Sequence, residues 1–276
     1  MPRTAAALAL SSHPGPSLAV SAVSAVLGIA VGLDPPHVVI LGVAVLLGQL
    51  SVGLSNDWID AGRDRAVGRT DKPVAAGLVS IGTARAASFI TAAAAILLTL
   101  LLGGPATLAH TAFIISAWTY NLGLKKTPVS VIPYIVSFGL LPMIVTLSRP
   151  APAVAAGWAI ALGSLLGVAA HFANVLPDLD DDARTGVAGL PHRIGRAASG
   201  IVICGSLAAG GIVAFFGPSG DKTVLQWVGL ALTLLLAGSI AVVLRRPPTR
   251  LLFQLIIAAA LVNVVLLSFS GSRLLA

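Results

Sequence analysis

The stretch Asn56-Asp57-Trp58-Ile59-Asp60-Ala61-Gly62-Arg63-Asp64-Arg65 closes an apolar run that begins near residue 38, and it puts three carboxylates where that run ends. Read as a helix end, it spaces Asn56, Asp60 and Asp64 four residues apart. Each step turns about 40°, so the three side chains share one face over about two turns, with Asp57 beside them. The spelling returns as Asn174-Val175-Leu176-Pro177-Asp178-Leu179-Asp180-Asp181-Asp182, again Asn, three residues, Asp, three residues, Asp, and again at the end of an apolar run. Like charges gathered at a membrane edge repel and are costly to desolvate, so this arrangement points to divalent cations between them. Hard oxygen donors suit magnesium, which typically joins protein carboxylates to substrate phosphates. A plainer reading takes the acids as solvated loop ends balancing nearby arginines, but it gives no reason for the repeated spacing.

Around these motifs the chain is strongly apolar. Hydrophobic residues fill 57% of the 276 positions and charged residues only 10%, against roughly 25% charged in a soluble domain. The composition predicts an all-α integral membrane protein, read as one domain over 1–276. Long apolar runs suggest nine spans near 17–33, 38–60, 84–103, 106–124, 129–147, 153–176, 197–216, 225–244 and 251–270, each suited to a hydrocarbon core of about 30 Å. Asp34-Pro35-Pro36, Gly103-Gly104-Pro105 and Gly217-Pro218-Ser219-Gly220 punctuate them. The N-terminal Arg3 and following alanines have too short an apolar core for a signal peptide, and predict a segment lying against the membrane. Cys204, the single cysteine, can form no internal disulfide.

Nine crossings divide the loop charges unevenly. Arg3, Arg63, Arg65, Arg69, Lys72, Arg85, Lys125, Lys126, Arg184, Arg193, Arg196, Arg245, Arg246 and Arg250 fall on one side, 14 in all, against Arg149, Lys222 and Arg273 on the other. The positive-inside rule then predicts a cytoplasmic N-terminus, cytoplasmic acidic loops and an external C-terminus. The same rule accounts for the net charge of +7 without a nucleic-acid partner. Both acidic motifs end on one face, and their separation resembles a parallel repeat of four-helix units followed by a last helix.

The first motif with Asp64-Arg65, the run Arg69-Thr70-Asp71-Lys72-Pro73-Val74-Ala75-Ala76-Gly77, the segment from Tyr120 to Leu124-Lys125, and Asn174 to Asp182 with Gly186 together resemble the UbiA superfamily of intramembrane prenyltransferases. The resemblance implies a helical bundle that moves a prenyl group from its diphosphate to a lipophilic, aromatic or other, acceptor with the help of Mg2+, the chain tail lying toward membrane lipid. It implies metal ligation by Asn56, Asp57, Asp60, Asp64, Asp178 and Asp182, with Asp181 as a substitute. Arg65, Arg69, Lys72, Lys125 and Tyr120 become expected diphosphate contacts. Lys125 stands where the family's Tyr-x-x-x-Leu-Lys lysine does. Some relatives within the superfamily cyclise their prenyl diphosphate instead, and that alternative stays open. A non-enzymatic transporter or lipid-binding protein holding cations on the same acids is a third reading, disfavoured because the charges sit at helix ends rather than at the bilayer midplane.

Other polar residues fall on the motif faces. Gln49 precedes Asn56 by seven residues and His171 precedes Asn174 by three, so all three of Gln49, His171 and Asn174 are expected to face an acceptor or cavity. His171 could equally serve only as a hydrogen-bond partner to a neighbouring helix. His13-Pro14 stands near the first span, where family members often carry a basic residue and proline, and this weighs against an acidic aromatic acceptor. Trp58, Phe89, Trp118, Tyr120, Tyr134, Phe138 and Phe172 could line a cavity or act as packing and interfacial anchors. Pro177 removes a helix hydrogen bond just before Asp178 and predicts a kink or stop there.

Overall fold

The computed structural model describes residues 2–179, 182, 186–243 and 250–276. They form ten α-helices: α1 (Pro2–Ser11), α2 (Pro14–Ala30), α3 (Pro35–Ala66), α4 (Ile81–Thr99), α5 (Gly104–Leu122), α6 (Ile132–Leu147), α7 (Gly157–Val175), α8 (Leu190–Phe216), α9 (Val224–Val243) and α10 (Arg250–Ser268). From α2 to α10 they match the nine predicted spans one for one. Five are long and apolar enough to cross a bilayer by length and composition alone; α6 and α10 are shorter apolar helices. The chain is an all-α integral membrane protein built as a bundle of about nine transmembrane helices.

Local chemistry sets several boundaries. Asp34 caps α3 by accepting from the His37 backbone N–H at 2.9 Å, and Ser80 caps α4 through the Thr83 N–H at 3.0 Å. Prolines at the first positions of α2 and α3 fit where the N–H would be unpaired. The expected stop at Pro177 is present: α7 ends at Val175 and a single 3₁₀ turn, Leu176–Asp178, follows. The helix α3 runs to Ala66, past the predicted span end near residue 60, so the whole first motif is helical, as its four-residue spacing implies.

Consecutive helices pack side by side, and α10 closes the ring against α2 and α7. Large apolar side chains such as Ile29, Leu97, Leu108, Ile201 and Leu235 remain exposed on the outside, as a lipid-facing surface requires. Glycines on α7 let it press onto α6. A Cβ on Gly163 would come within 2.4 Å of the Phe138 carbonyl oxygen, and one on Gly167 within 2.4 Å of the Tyr134 carbonyl oxygen. Small residues permit this close backbone approach.

The N-terminal segment is helical and meets α2 at a bend of 69°. At the break His13 adopts φ 52°, a left-handed conformation uncommon for a non-glycine residue. The Ser12 carbonyl sits where a Cβ on Gly53 would lie, at 2.3 Å. Ala7 and Leu8 pack with Trp58, Ala61 and Val74, so α1 covers the same end of the bundle that carries the acids.

Candidate active site

The ends of α3 and α7 meet there, as the paired motifs predict. On α3 the helical phase turns Asn56, Asp60 and Asp64 together: the Asn56 amide donates to Asp60 at 3.2 Å and to Asn121 of α5 at 3.3 Å. Asp57, Asp60 and Asp64 are only 1%, 4% and 2% exposed, and three carboxylates buried so closely require compensating positive charge. Three cations, Lys125, Arg63 and Lys72, supply it. Lys125, in the 3₁₀ turn after α5, donates to both oxygens of Asp60 at 2.5 Å. Arg63 binds Asp60 at 3.2 Å and Asp64 at 3.3 Å, and reaches Asp182 of the second motif at 3.5 Å.

Lys72 donates to the Asn56 side-chain oxygen at 3.0 Å and stands 3.3 Å from Asp57 and 3.7 Å from Asp64. Arg69 forms a two-pronged pair with Asp71, both contacts at 2.9 Å, and lies 3.6 Å from Asp178. Its hydrogen bonds hold the Asp71 carboxyl below the usual carboxylate range. Burial pushes the Lys125 ammonium below the ordinary lysine range even though Asp60 acts in the opposite direction. His192 of α8 stands 3.3 Å from Asp182.

These groups surround a polar cavity of about 330 Å³. Behind it lies an apolar chamber of about 490 Å³ between α2, α3, α5, α6, α7 and α10. The two share His13, Asn56, Tyr120 and Asn174. Gln49 lines the apolar chamber and His171 the polar cavity. The His171 Nε2 pairs with Ser130 Oγ at 3.1 Å, and its ring meets Tyr120 and Tyr134 at 5.7 and 5.0 Å between centroids. Of the aromatics singled out in sequence, Tyr120, Tyr134 and Phe138 line the chamber. Trp58 instead bonds Ser88, Trp118 bonds Ser51 and packs on Phe89, and Phe172 is buried in the core.

Two expectations fall elsewhere. Arg65 does not face the cavity: it donates to the backbone carbonyls of Val74 and Ala75, at 3.1 and 3.2 Å, and so holds the loop that carries Lys72. Asp181, with Asp180, lies outside the described residues. Sequence reasoning passed over Arg63 and His192 as site residues. Arg63 stands three residues after Asp60, a helical neighbour once α3 is known to continue; no comparable signal marks His192.

Among the described residues no three acidic or histidine side chains form a ready-made ligand group, because arginine and lysine heads stand between the carboxylates. The donors still fit a hard dication. Both oxygens of Asp57 and one of Asp64 are buried without a hydrogen bond, and all belong to the carboxylate class that magnesium prefers.

The description of the UbiA prenyltransferase family matches residues 17–261. The chain belongs to the UbiA prenyltransferase family. The 4-hydroxybenzoate octaprenyltransferase of Ralstonia nicotianae is 30% identical over 224 residues, covering 78% of this chain and 75% of the relative. A UbiA homolog from Archaeoglobus fulgidus, solved with GPP and Mg2+ bound, has a TM-score of 0.73 at 13% identity over 97% of this chain and 99% of that one. A digeranylgeranylglyceryl phosphate synthase has a TM-score of 0.67 at 15% identity, over 98% and 99%. At these identities the solved structures show a shared fold. The chain is thus a prenyltransferase of the UbiA family and a multi-pass integral membrane protein.

Proposed function

We propose that this chain, as a single domain over 1–276, catalyses magnesium-dependent transfer of a prenyl group from a prenyl diphosphate to a lipophilic acceptor. The observation that carries this reading is the shared wall of the two cavities. A prenyl diphosphate is charged at one end and hydrocarbon at the other, and Asn56, Tyr120 and Asn174 stand where a densely charged cavity gives way to an apolar one.

Asn56, Asp57, Asp60 and Asp64 from α3, with Asp178 and Asp182 after α7, would hold the metal. Bound magnesium supplies positive charge that neutralises the diphosphate and orients its oxygens. Lys125, Lys72, Arg69 and Arg63 add fixed cations around the same cavity, a preorganised field for the negative charge that grows as the allylic carbon–oxygen bond breaks. The electron pair leaves with the diphosphate, the acceptor's nucleophilic atom bonds the allylic carbon, and the acceptor loses a proton. Tyr120, Tyr134 and Phe138 line the chamber, where aromatic rings favour positive charge and exclude water.

The polar cavity faces the cytoplasm in this reading, supported by the 14 to 3 distribution of loop cations. Diphosphate release from geranyl diphosphate by the purified protein tests the proposal. Release should require magnesium and an acceptor; release that persists in excess EDTA would remove it.

A further inference from the structure

Among its described lining residues the apolar chamber contains no Lys, Arg, Asp or Glu. Several of its polar side chains are already satisfied: Ser17 donates to the Ser12 carbonyl at 2.9 Å, Ser137 to the Phe113 carbonyl at 3.3 Å, and Asn121 to Val52 and Ser55 at 3.0 and 2.7 Å. His13, Gln49, Tyr120, Tyr134 and Asn174 make no side-chain hydrogen bond to the described residues. Of these, His13, Tyr120 and Asn174 also line the polar cavity, which leaves Tyr134 and Gln49 in the chamber proper. Gln49 is the amide of the two. Seven residues before Asn56 on the same face of α3, it sits about 10 Å deeper along the helix. An amide in apolar surroundings is costly until something pairs with it.

We infer that Gln49 marks the acceptor subsite, and that this subsite takes an uncharged acceptor whose hydroxyl or carbonyl pairs with the Gln49 carboxamide. The inference rests on the prenyl-transfer reading above. A prenyl tail is hydrocarbon and offers the amide nothing, while the diphosphate belongs with the cations at the other end. The acceptor is the remaining participant with a polar group. Its nucleophilic atom must come within about 3.5 Å of the allylic carbon at the boundary between cavities, and from there its body extends toward Gln49.

Charge decides the class. A carboxylate in the chamber would meet no lysine or arginine, since Arg63, Lys72, Arg69 and Lys125 face the polar cavity and are engaged by its acids. His13, in the turn before α2, is the chamber residue that could become cationic, and burial, with Lys72 adding to it, holds its pKa below the ordinary histidine range. A lone buried carboxylate is strongly disfavoured. The Ralstonia relative is named for 4-hydroxybenzoate, whose carboxylate would find no cation here, so the acceptor of this chain differs in charge.

The test compares 4-hydroxybenzoate with its methyl ester, two phenols that differ in that charge. Binding to the purified protein is measured by calorimetry with magnesium and geranyl thiolodiphosphate, an unreactive analogue, already bound. The ester should bind at least about tenfold more tightly than the acid. Gln49→Leu should weaken the ester by about tenfold, the worth of one buried hydrogen bond, and Gln49→Lys should reverse the preference toward the acid; size-exclusion profiles check that both variants fold. Equal or tighter binding of the acid, absence of ester binding, or an unchanged ester affinity in folded Gln49→Leu would overturn the subsite. Failure of the analogue itself to bind would instead remove the prenyl-diphosphate reading, and this inference with it.

Discussion

Lys125 donates to both carboxylate oxygens of Asp60 at 2.5 Å across 65 residues of sequence, joining the turn after α5 to the end of α3. Both side chains are buried. Removing the ammonium leaves Asp60 with Arg63 as its remaining cation, beside the Asn56 amide, and strips one cation from the wall that faces the leaving group. Lys125→Ala is expected to lower diphosphate release at least about 100-fold, the scale of losing one preorganised charge stabiliser. Lys125→Arg should recover little, because the bulkier guanidinium needs room that the buried site of this compact ammonium does not offer. Steady-state release assays on the two variants check this; near-normal rates in Lys125→Ala would contradict it.

The acids are expected to serve chemistry rather than folding. Asp60→Ala, Asp64→Ala and Asp178→Ala should each abolish release while the protein remains extractable and monodisperse, since the unpaired cations left behind stand beside a polar cavity rather than in the apolar core. EDTA should reproduce the loss in the unaltered protein, and added magnesium should reverse it. Activity assays alongside size-exclusion profiles separate the two effects, and full activity of Asp64→Ala would count against a metal role.

Arg63 and Arg65 make a sharper contrast. Two residues apart on one helix, they point about 200° away from each other. Arg63 enters the cavity and Arg65 ties the following loop. Arg63→Ala is expected to cut turnover at saturating substrate, whereas Arg65→Ala should chiefly lower the melting temperature and raise KM by loosening the loop that presents Lys72. Equal kinetic profiles for the two variants would contradict the assignment.

That contrast also marks what the sequence could and could not convey. The nine helices were legible because lipid demands long apolar runs, and the pairing of the two motifs because Asn-x-x-x-Asp-x-x-x-Asp spacing repeats at equivalent ends. The roles of the arginines at the end of α3 were not. Charged residues end an apolar run well before they end a helix, so the predicted span stops near residue 60 although α3 continues to Ala66. Arg63 therefore passed as a loop charge and Arg65 as a diphosphate contact. The left-handed bend at His13 was equally hidden, since it goes with the close packing of Ser12 on Gly53, a contact distant in sequence. His192 joins the site through the fold of α8, at a distance in sequence that no local pattern records.

Orientation follows from charge and is open to direct test. With nine crossings and 14 of the 17 lysines and arginines on the N-terminal side, a reporter fused after Ala276 should appear outside the cytoplasm. A cytoplasmic reporter would contradict the count.

The most direct measurement incubates the purified protein with magnesium and geranylgeranyl diphosphate, with and without a neutral phenolic acceptor, and identifies the lipid products by mass spectrometry. Transfer and cyclisation begin with the same ionisation and differ in what meets the allylic carbon, a bound nucleophile or the chain's own double bonds. With the acceptor present, the product should be the acceptor plus one geranylgeranyl group, and without it the diphosphate should be released slowly. Rapid conversion of geranylgeranyl diphosphate alone to a cyclic hydrocarbon would contradict prenyl transfer.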